Sequence, residues 1–147
     1  MKKLYVLALA LMAFGCQDDD AIYIPSYTPT TQPFDGAWQL RNVSGGIAGT
    51  YDDFEPGEIT WTFDDETQTV TVFNNNPDTG EVDFFDSGVY DYEIVINPAT
   101  PEICGFNLSI DGTNLGCFTV TDDEFKLSMV ETDGHELTLK RPAAGPF

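Results

Sequence analysis

Cationic side chains are scarce in this chain. Its 147 residues carry six Lys and Arg against 25 Asp and Glu, a formal charge of −19. That balance argues against a nucleic-acid partner, because affinity for a phosphate backbone comes from Lys and Arg that release its counterions. The same sign opposes adsorption to anionic lipid headgroups. Histidine is nearly absent too: His135 stands alone, beside three cysteines. Cys104 and Cys117, the cysteines left after Cys16, make a poor metal pair, because a zinc site wants three or four ligands, and one histidine in a turn assembles no persuasive Ser-His-Asp set. No Gly-rich phosphate loop is present. Long apolar runs are missing as well. The longest, Leu4 to Phe14, has eleven residues, where a membrane-spanning helix needs about 20. Neither a capped helical stretch nor a repeat of fixed period appears.

Aromatic and β-branched residues are abundant. The chain has 2 Trp, 6 Tyr and 11 Phe, and 41% of it is hydrophobic, too much for a disordered chain. The length suits one domain. From Phe34 onward, apolar and polar residues alternate in eight short runs, the period of strands with one buried face. The inward sets are Trp38 and Leu40; Ile59, Trp61 and Phe63; Val70 and Val72; Tyr90, Tyr92, Ile94 and Ile96; Phe106, Leu108 and Ile110; Phe118 and Val120; Phe125, Leu127 and Met129; Leu137, Leu139 and Arg141. Short connectors such as Asp111-Gly112 and Thr132-Asp133-Gly134 favour hairpins. Longer breaks fall at Ser44–Pro56, Asn74–Gly88 and Asn97–Cys104. The expected fold is all-β: an eight-stranded antiparallel up-and-down barrel over residues 34–142, with a short tail at 143–147. The rival is an immunoglobulin-like β-sandwich, an adhesion or interaction module on a lipid tether. It would want a central Trp between two distant cysteines, whereas Trp38 opens the domain and Trp61 precedes both Cys104 and Cys117.

The N-terminus reads as an address. Met1-Lys2-Lys3, the apolar run and then Gly15-Cys16 fit a secretory signal over residues 1–15. A small residue followed by Cys after such a run resembles the lipobox of bacterial lipoproteins. The resemblance implies that Cys16 becomes the N-terminus and carries diacylglycerol, the protein's link to the outer membrane. Two acyl chains anchor stably, at about 0.8 kcal/mol per buried CH₂. Gln17, Asp18, Asp19 and Asp20 follow at once. This acidic run resembles the export signal of surface lipoproteins in certain Gram-negative bacteria, which implies a location on the cell surface. Pro25, Pro29 and Pro33 make residues 16–33 an extended spacer.

Gly36-Ala37-Trp38 resembles the Gly-x-Trp motif of lipocalin (calycin-type) barrels. In that family the Trp crosses the barrel floor beneath a basic residue of the last strand. By parity Arg141 points inward with Leu137 and Leu139, so the resemblance assigns Gly36, Trp38 and Arg141 to barrel closure. It also implies a calyx for a small apolar or amphipathic ligand, lined by Trp61, Phe63, Tyr90, Tyr92, Phe106, Phe118 and Phe125. Eight strands enclose room for side chains or for one small ligand, so a filled interior and a ligand cavity both stay open.

Cys104 and Cys117 would close a 14-residue loop as a disulfide, favoured in an oxidising envelope. A regular hairpin turning at Asp111-Gly112 sets Cys117 opposite Phe106 and Cys104 opposite Thr119. Bonding therefore needs a bulged or tighter hairpin, and two buried thiols are the other outcome. Asn74 to Asp83 has oxygen-bearing residues at alternate positions, but Gly80 is seventh where a calcium loop wants Gly sixth. A polar hairpin loop is the expectation, with no metal. The acid pairs Asp64-Asp65 and Asp122-Asp123 fall in turns. No enzyme and no cofactor are expected.

Overall fold

The computed structural model describes residues 35–96, 104–129 and 134–143. The signal sequence, Cys16, Gln17, Asp18, Asp19, Asp20 and the spacer lie outside the described residues.

Alternating sequence becomes strand throughout, and no helix occurs among the described residues. The described residues form nine strands: β1 (Gly36–Gly45), β2 (Thr50–Asp53), β3 (Ile59–Asp64), β4 (Thr69–Asn74), β5 (Gly88–Ile96), β6 (Phe106–Ile110), β7 (Thr113–Val120), β8 (Glu124–Ser128) and β9 (His135–Lys140). Strands β3 to β9 follow one another antiparallel around the sheet, and β1 pairs with both β3 and β9. The result is a closed eight-stranded antiparallel barrel. Its closing seam runs from Gln39↔Lys140 to Gly45↔His135. The immunoglobulin-like alternative fails at that seam, because a sandwich does not join its first and last strands into one continuous wall.

The short strand β2 was not expected from the sequence. It pairs with the second half of β1, over Asn42–Gly45, while β3 pairs with the first half. Period-2 alternation is weak in Thr50-Tyr51-Asp52-Asp53, because β2 buries neither face.

Two bulges adjust the wall. At Arg41 the β1–β9 register slips by one residue. The buried side chains of β1 therefore move from even positions, Trp38 and Leu40, to the odd Val43. The bulged Arg41 is used locally: its Nε donates to Phe54 O at 3.0 Å, and Phe54 N donates back to Arg41 O at 3.0 Å. That exchange seats Phe54 in the core, 2% exposed.

The second bulge lies between β6 and β7. Asp111 and Gly112 both have positive φ, 49° and 75°, as a two-residue type I′ turn requires. Ile110 pairs with Thr113 and Ser109 with Asn114, but Cys117 pairs with Asn107. Leu115 and Gly116 together stand against Leu108, one residue in excess, and Gly116 takes φ +77°. The register therefore departs from the regular one. The chain bends at Gly105 before β6 begins, which brings Cys104 back toward Cys117. The two are disulfide-bonded at a Cα–Cα distance of 5.5 Å.

Inward positions form one hydrophobic core that includes Trp38, Trp61, Phe63, Tyr92 and Phe125. Ile94 and Ile96 correct the sequence reading. They share parity with Tyr92 but are 48% and 70% exposed. Strand β5 outruns β4, whose ladder with it stops at Thr69↔Asp91. Past that level no β4 residue flanks them, although Leu108, the β6 partner of Ile94, stays in the core.

Candidate functional site

Barrels of this kind offer three places for chemistry: the floor, the interior and the mouth. The floor is built by the two chain ends of the domain. Arg141 Cζ sits 3.8 Å above the Trp38 ring centroid. Its Nη1 donates to Asp35 O at 2.8 Å and to Ala37 O at 3.3 Å. Gly36 lies between those carbonyls with φ +94°, and a Cβ there would be 3.0 Å from Arg141 Nη1. The glycine of Gly-Ala-Trp thus has a local cause: it bends the backbone around the guanidinium and leaves it room. Guanidinium, ring and carbonyls clasp the first strand to the residue after the last. A cation on a desolvated aromatic face contributes about 1–2 kcal/mol.

Beside the floor, Tyr92 donates its hydroxyl to Asp65 Oδ1 at 2.6 Å. Burial, then this hydrogen bond, then the charges of Asp65, Asp35 and Asp64 hold the phenol well above its ordinary value of 10.0. An acid that keeps its proton more tightly when folded stabilises the fold below its unfolded pKa. That contribution is lost as pH rises past it. Stability should therefore fall from about pH 10 upward. In Tyr92→Phe, chemical denaturation across pH 8–11 should show that alkaline slope reduced, with the rest of the profile kept.

The interior is a connected set of rings. Phe125 meets Trp38 at 5.5 Å, Phe63 at 5.9 Å and Phe118 at 6.0 Å between centroids. Phe63 meets Tyr92 at 5.3 Å and Trp61 at 6.4 Å. Trp61, Phe63, Tyr92, Phe118 and Phe125, all proposed as ligand-lining, therefore pack on aromatic neighbours, with Tyr90 joining through the mouth. Phe106, also proposed there, is half-buried at the start of β6. Trp61 Nε1 is the one buried side-chain polar atom without a hydrogen-bond partner among the described residues.

The mouth is stoppered by the chain itself. Between β4 and β5, residues 75–87 fold over the open end. Phe85 descends onto Trp61 at 5.5 Å and Tyr90 at 5.3 Å. Phe84, at φ 66°, reaches across to His135 at 5.7 Å. Polar bonds hold this loop down. Asn74 Nδ2 donates to Asp83 Oδ2 at 2.7 Å and to Phe85 O at 2.9 Å. Val82 N donates to Asp52 Oδ2 on β2 at 2.9 Å. Phe54, Val82, Phe84 and Phe85 escaped the sequence reading because they stand in irregular chain, where no period marks a buried face. A Phe-Phe pair inside an otherwise polar loop was the available signal.

The other sequence candidates have structural uses. In the Asn74–Asp83 segment, Asn74 Oδ1 accepts from Asn76 N, Asn76 Oδ1 from Asp78 N, and Asp78 Oδ1 from Gly80 N. These oxygens cap their own turns. Asp64 Oδ1 accepts from Glu66 N and Thr67 N, and the Thr67 N–H holds this carboxyl below its usual range.

The chain matches no known protein-family model, no curated protein and no solved structure. Its function rests on its own geometry.

A separate cleft of about 460 Å³ opens on the outer wall, between the β3–β4 turn, the middle of β5 and the β6–β7 turn. Its lining is polar and includes Asp91, Glu93 and Asp111.

Proposed function

We propose that this chain is an envelope-anchored lipoprotein whose lipocalin-like barrel is a non-catalytic interaction or structural module with a filled interior. The observation that carries the reading is Phe85 seated on Trp61 and Tyr90. In a ligand carrier that position would be the entrance. Here it is filled by the chain's own side chain above a continuous ring cluster. The non-catalytic part is supported by how the candidate groups are used: Asp64 caps a turn, Asp65 accepts from Tyr92, and His135 packs on Phe84. The Gly-x-Trp floor with its terminal Arg supports the lipocalin-like assignment.

Anchoring is assigned to diacylglycerol on Cys16, in the bacterial outer membrane, with Gln17-Asp18-Asp19-Asp20 directing the domain to the cell surface. With so acidic a chain, lipid rather than charge must hold it there. Cys16→Ser should release the protein from membranes, and Asp18–Asp20→Ala should make it resistant to protease added to intact cells.

Intrinsic tryptophan fluorescence tests the filled interior. Titrating the full-length protein with palmitate, a bile-acid-like amphiphile and an aromatic dye should leave the emission flat. Phe85→Ala, which unseals the ring cluster, should convert the flat response to the dye into a saturable one. A saturable response of the unaltered protein to any of the three would replace the filled module by a ligand carrier.

A further inference from the structure

Strand β5 changes partners half-way along. Gly88 to Asp91 pair with β4, and Tyr92 to Ile96 pair with β6. Backbone bonds fix which way each residue of β5 points. Tyr92 N donates to Gln68 O on the β4 side, and Asp91 O accepts from Asp111 N on the β6 side. In an antiparallel ladder the direction alternates. The N–H and C=O of Ile94 and Ile96 therefore point to the β4 side, past the end of β4. Among the described residues nothing pairs with them there. This edge is apolar: Ile94, Val95 and Ile96 are 48%, 42% and 70% exposed. It lacks the lysine, proline or bulge that usually blunts an edge strand.

The cleft of about 460 Å³ adjoins the start of this edge and carries Asp91, Glu93 and Asp111 on its rim, with Thr67, Gln68 and Ser109 beside them. No cation offsets these acids. The domain has four basic residues, and each is committed elsewhere. Arg41 holds Phe54, Arg141 holds the floor, and Lys126 and Lys140 both face Glu124.

We propose that the β5 edge at Ile94 and Ile96 is a docking site for an extended, basic segment of a partner protein, which adds to the sheet as a strand. Its backbone would pair with Ile94 and Ile96. Its alternate apolar side chains would cover Ile94 and Ile96, and on the opposite face a Lys or Arg would pass Val95 and enter the acidic cleft. Charge selects this occupant over a second copy of the chain, since two bodies of −19 repel. The proposal rests on the barrel being an interaction module. It is independent of the anchor and of the filled interior, so the test below can fail while those stand.

The probe is a short peptide alternating lysine and valine, added to isotopically labelled full-length protein. The readout is amide hydrogen exchange. At saturation the Ile94 and Ile96 amides should exchange at least about tenfold more slowly, and salt should weaken the effect. A glutamate–valine peptide should give no protection, nor should the lysine–valine peptide N-methylated at alternate residues. Ile94→Pro removes an N–H that points away from β6 and so leaves the β5–β6 bonds intact; it should abolish binding. If that variant loses its thermal transition, Ile96→Pro at the strand end serves instead, and Glu93→Gln should weaken binding several-fold in a folded protein. Unchanged Ile94 and Ile96 amides, or equal protection by the glutamate peptide, would overturn the proposal. So would protection that grows with protein concentration alone, which assigns the edge to a second copy. Protection already present in the free protein and lost on deleting residues 17–33 would assign it to the chain's own N-terminal segment and overturn the proposal equally.

Discussion

Trp38→Ala should lower the unfolding free energy by about 3–5 kcal/mol, the range for emptying a large aromatic from a packed core. Trp38 is fully buried. It stands directly across from Trp61 in the β1–β3 ladder, packs edge-on against Phe125 and carries the Arg141 guanidinium. Truncation leaves a cavity at the floor and also removes the face on which a half-buried cation rests. A domain of this size has roughly 5–15 kcal/mol in all, so the variant should unfold at much lower denaturant with an unchanged m-value. Part of the loss belongs to the Arg141 contact, and a double-mutant cycle isolates it. Arg141→Lys keeps the charge but loses the planar stack and the paired carbonyl bonds. The coupling between the two positions should be about 1 kcal/mol. Additive losses would mean that ring and cation act separately.

Gly116→Ala should be equally damaging for a different reason. Gly116 forms the β7 bulge at φ +77°, and a Cβ there would lie 2.1 Å from Ser128 O and 2.8 Å from Met129 Cα. Both are backbone atoms of the neighbouring strand segment, so no rotamer change relieves the clash; β7 must separate from β8. A cost of about 3–5 kcal/mol is expected, in the tail of single substitutions, read as a drop in the thermal midpoint. Gly112→Ala is the control. Its φ is +75°, but nothing lies within 4 Å of the new Cβ, so only the left-handed backbone is penalised, by about 1 kcal/mol. Similar losses at both positions would show that backbone conformation, and not the close approach of β8, makes Gly116 necessary.

The legible part of this fold was the part governed by period 2. Alternation marked β1 and β3 to β9. It also placed Trp38 with Leu40, and Arg141 with Leu139, on one face, which is enough to bring the ring and the guanidinium together at the floor. Alternation reports which face a residue is on, but not where the sheet ends. Ile94 and Ile96 have the parity of core residues and stand outside the core. Bulges are invisible to it as well. The slips at Arg41 and Gly116 each shift a register by one, and the second changes the partner of Cys117 from Phe106 to Asn107. The stopper was hidden for another reason. Phe54 and Phe85 are buried by irregular chain, held by bonds such as Arg41 to Phe54 O and Asn74 to Phe85 O, and side-chain-to-backbone contacts over such separations leave no periodic trace.

Those two kinds of structure divide the functional account. The regular strands build the wall and the floor. The irregular segments decide that the barrel is closed at its mouth, and the place where β5 outruns β4 leaves an open edge on its side.

Everything depends on the first and last strands meeting along the Gln39–Gly45 seam, with the guanidinium lying over the indole. Interstrand NMR contacts test this in solution most directly. Short Hα–Hα distances should appear between residues on either side of the seam, near Leu40 and Leu139 and near Val43 and Leu137, and the Arg141 side-chain protons should shift upfield from lying over the Trp38 ring. Absent cross-seam contacts together with an unshifted Arg141 would mean an open sheet, and with it neither a floor nor a sealed interior.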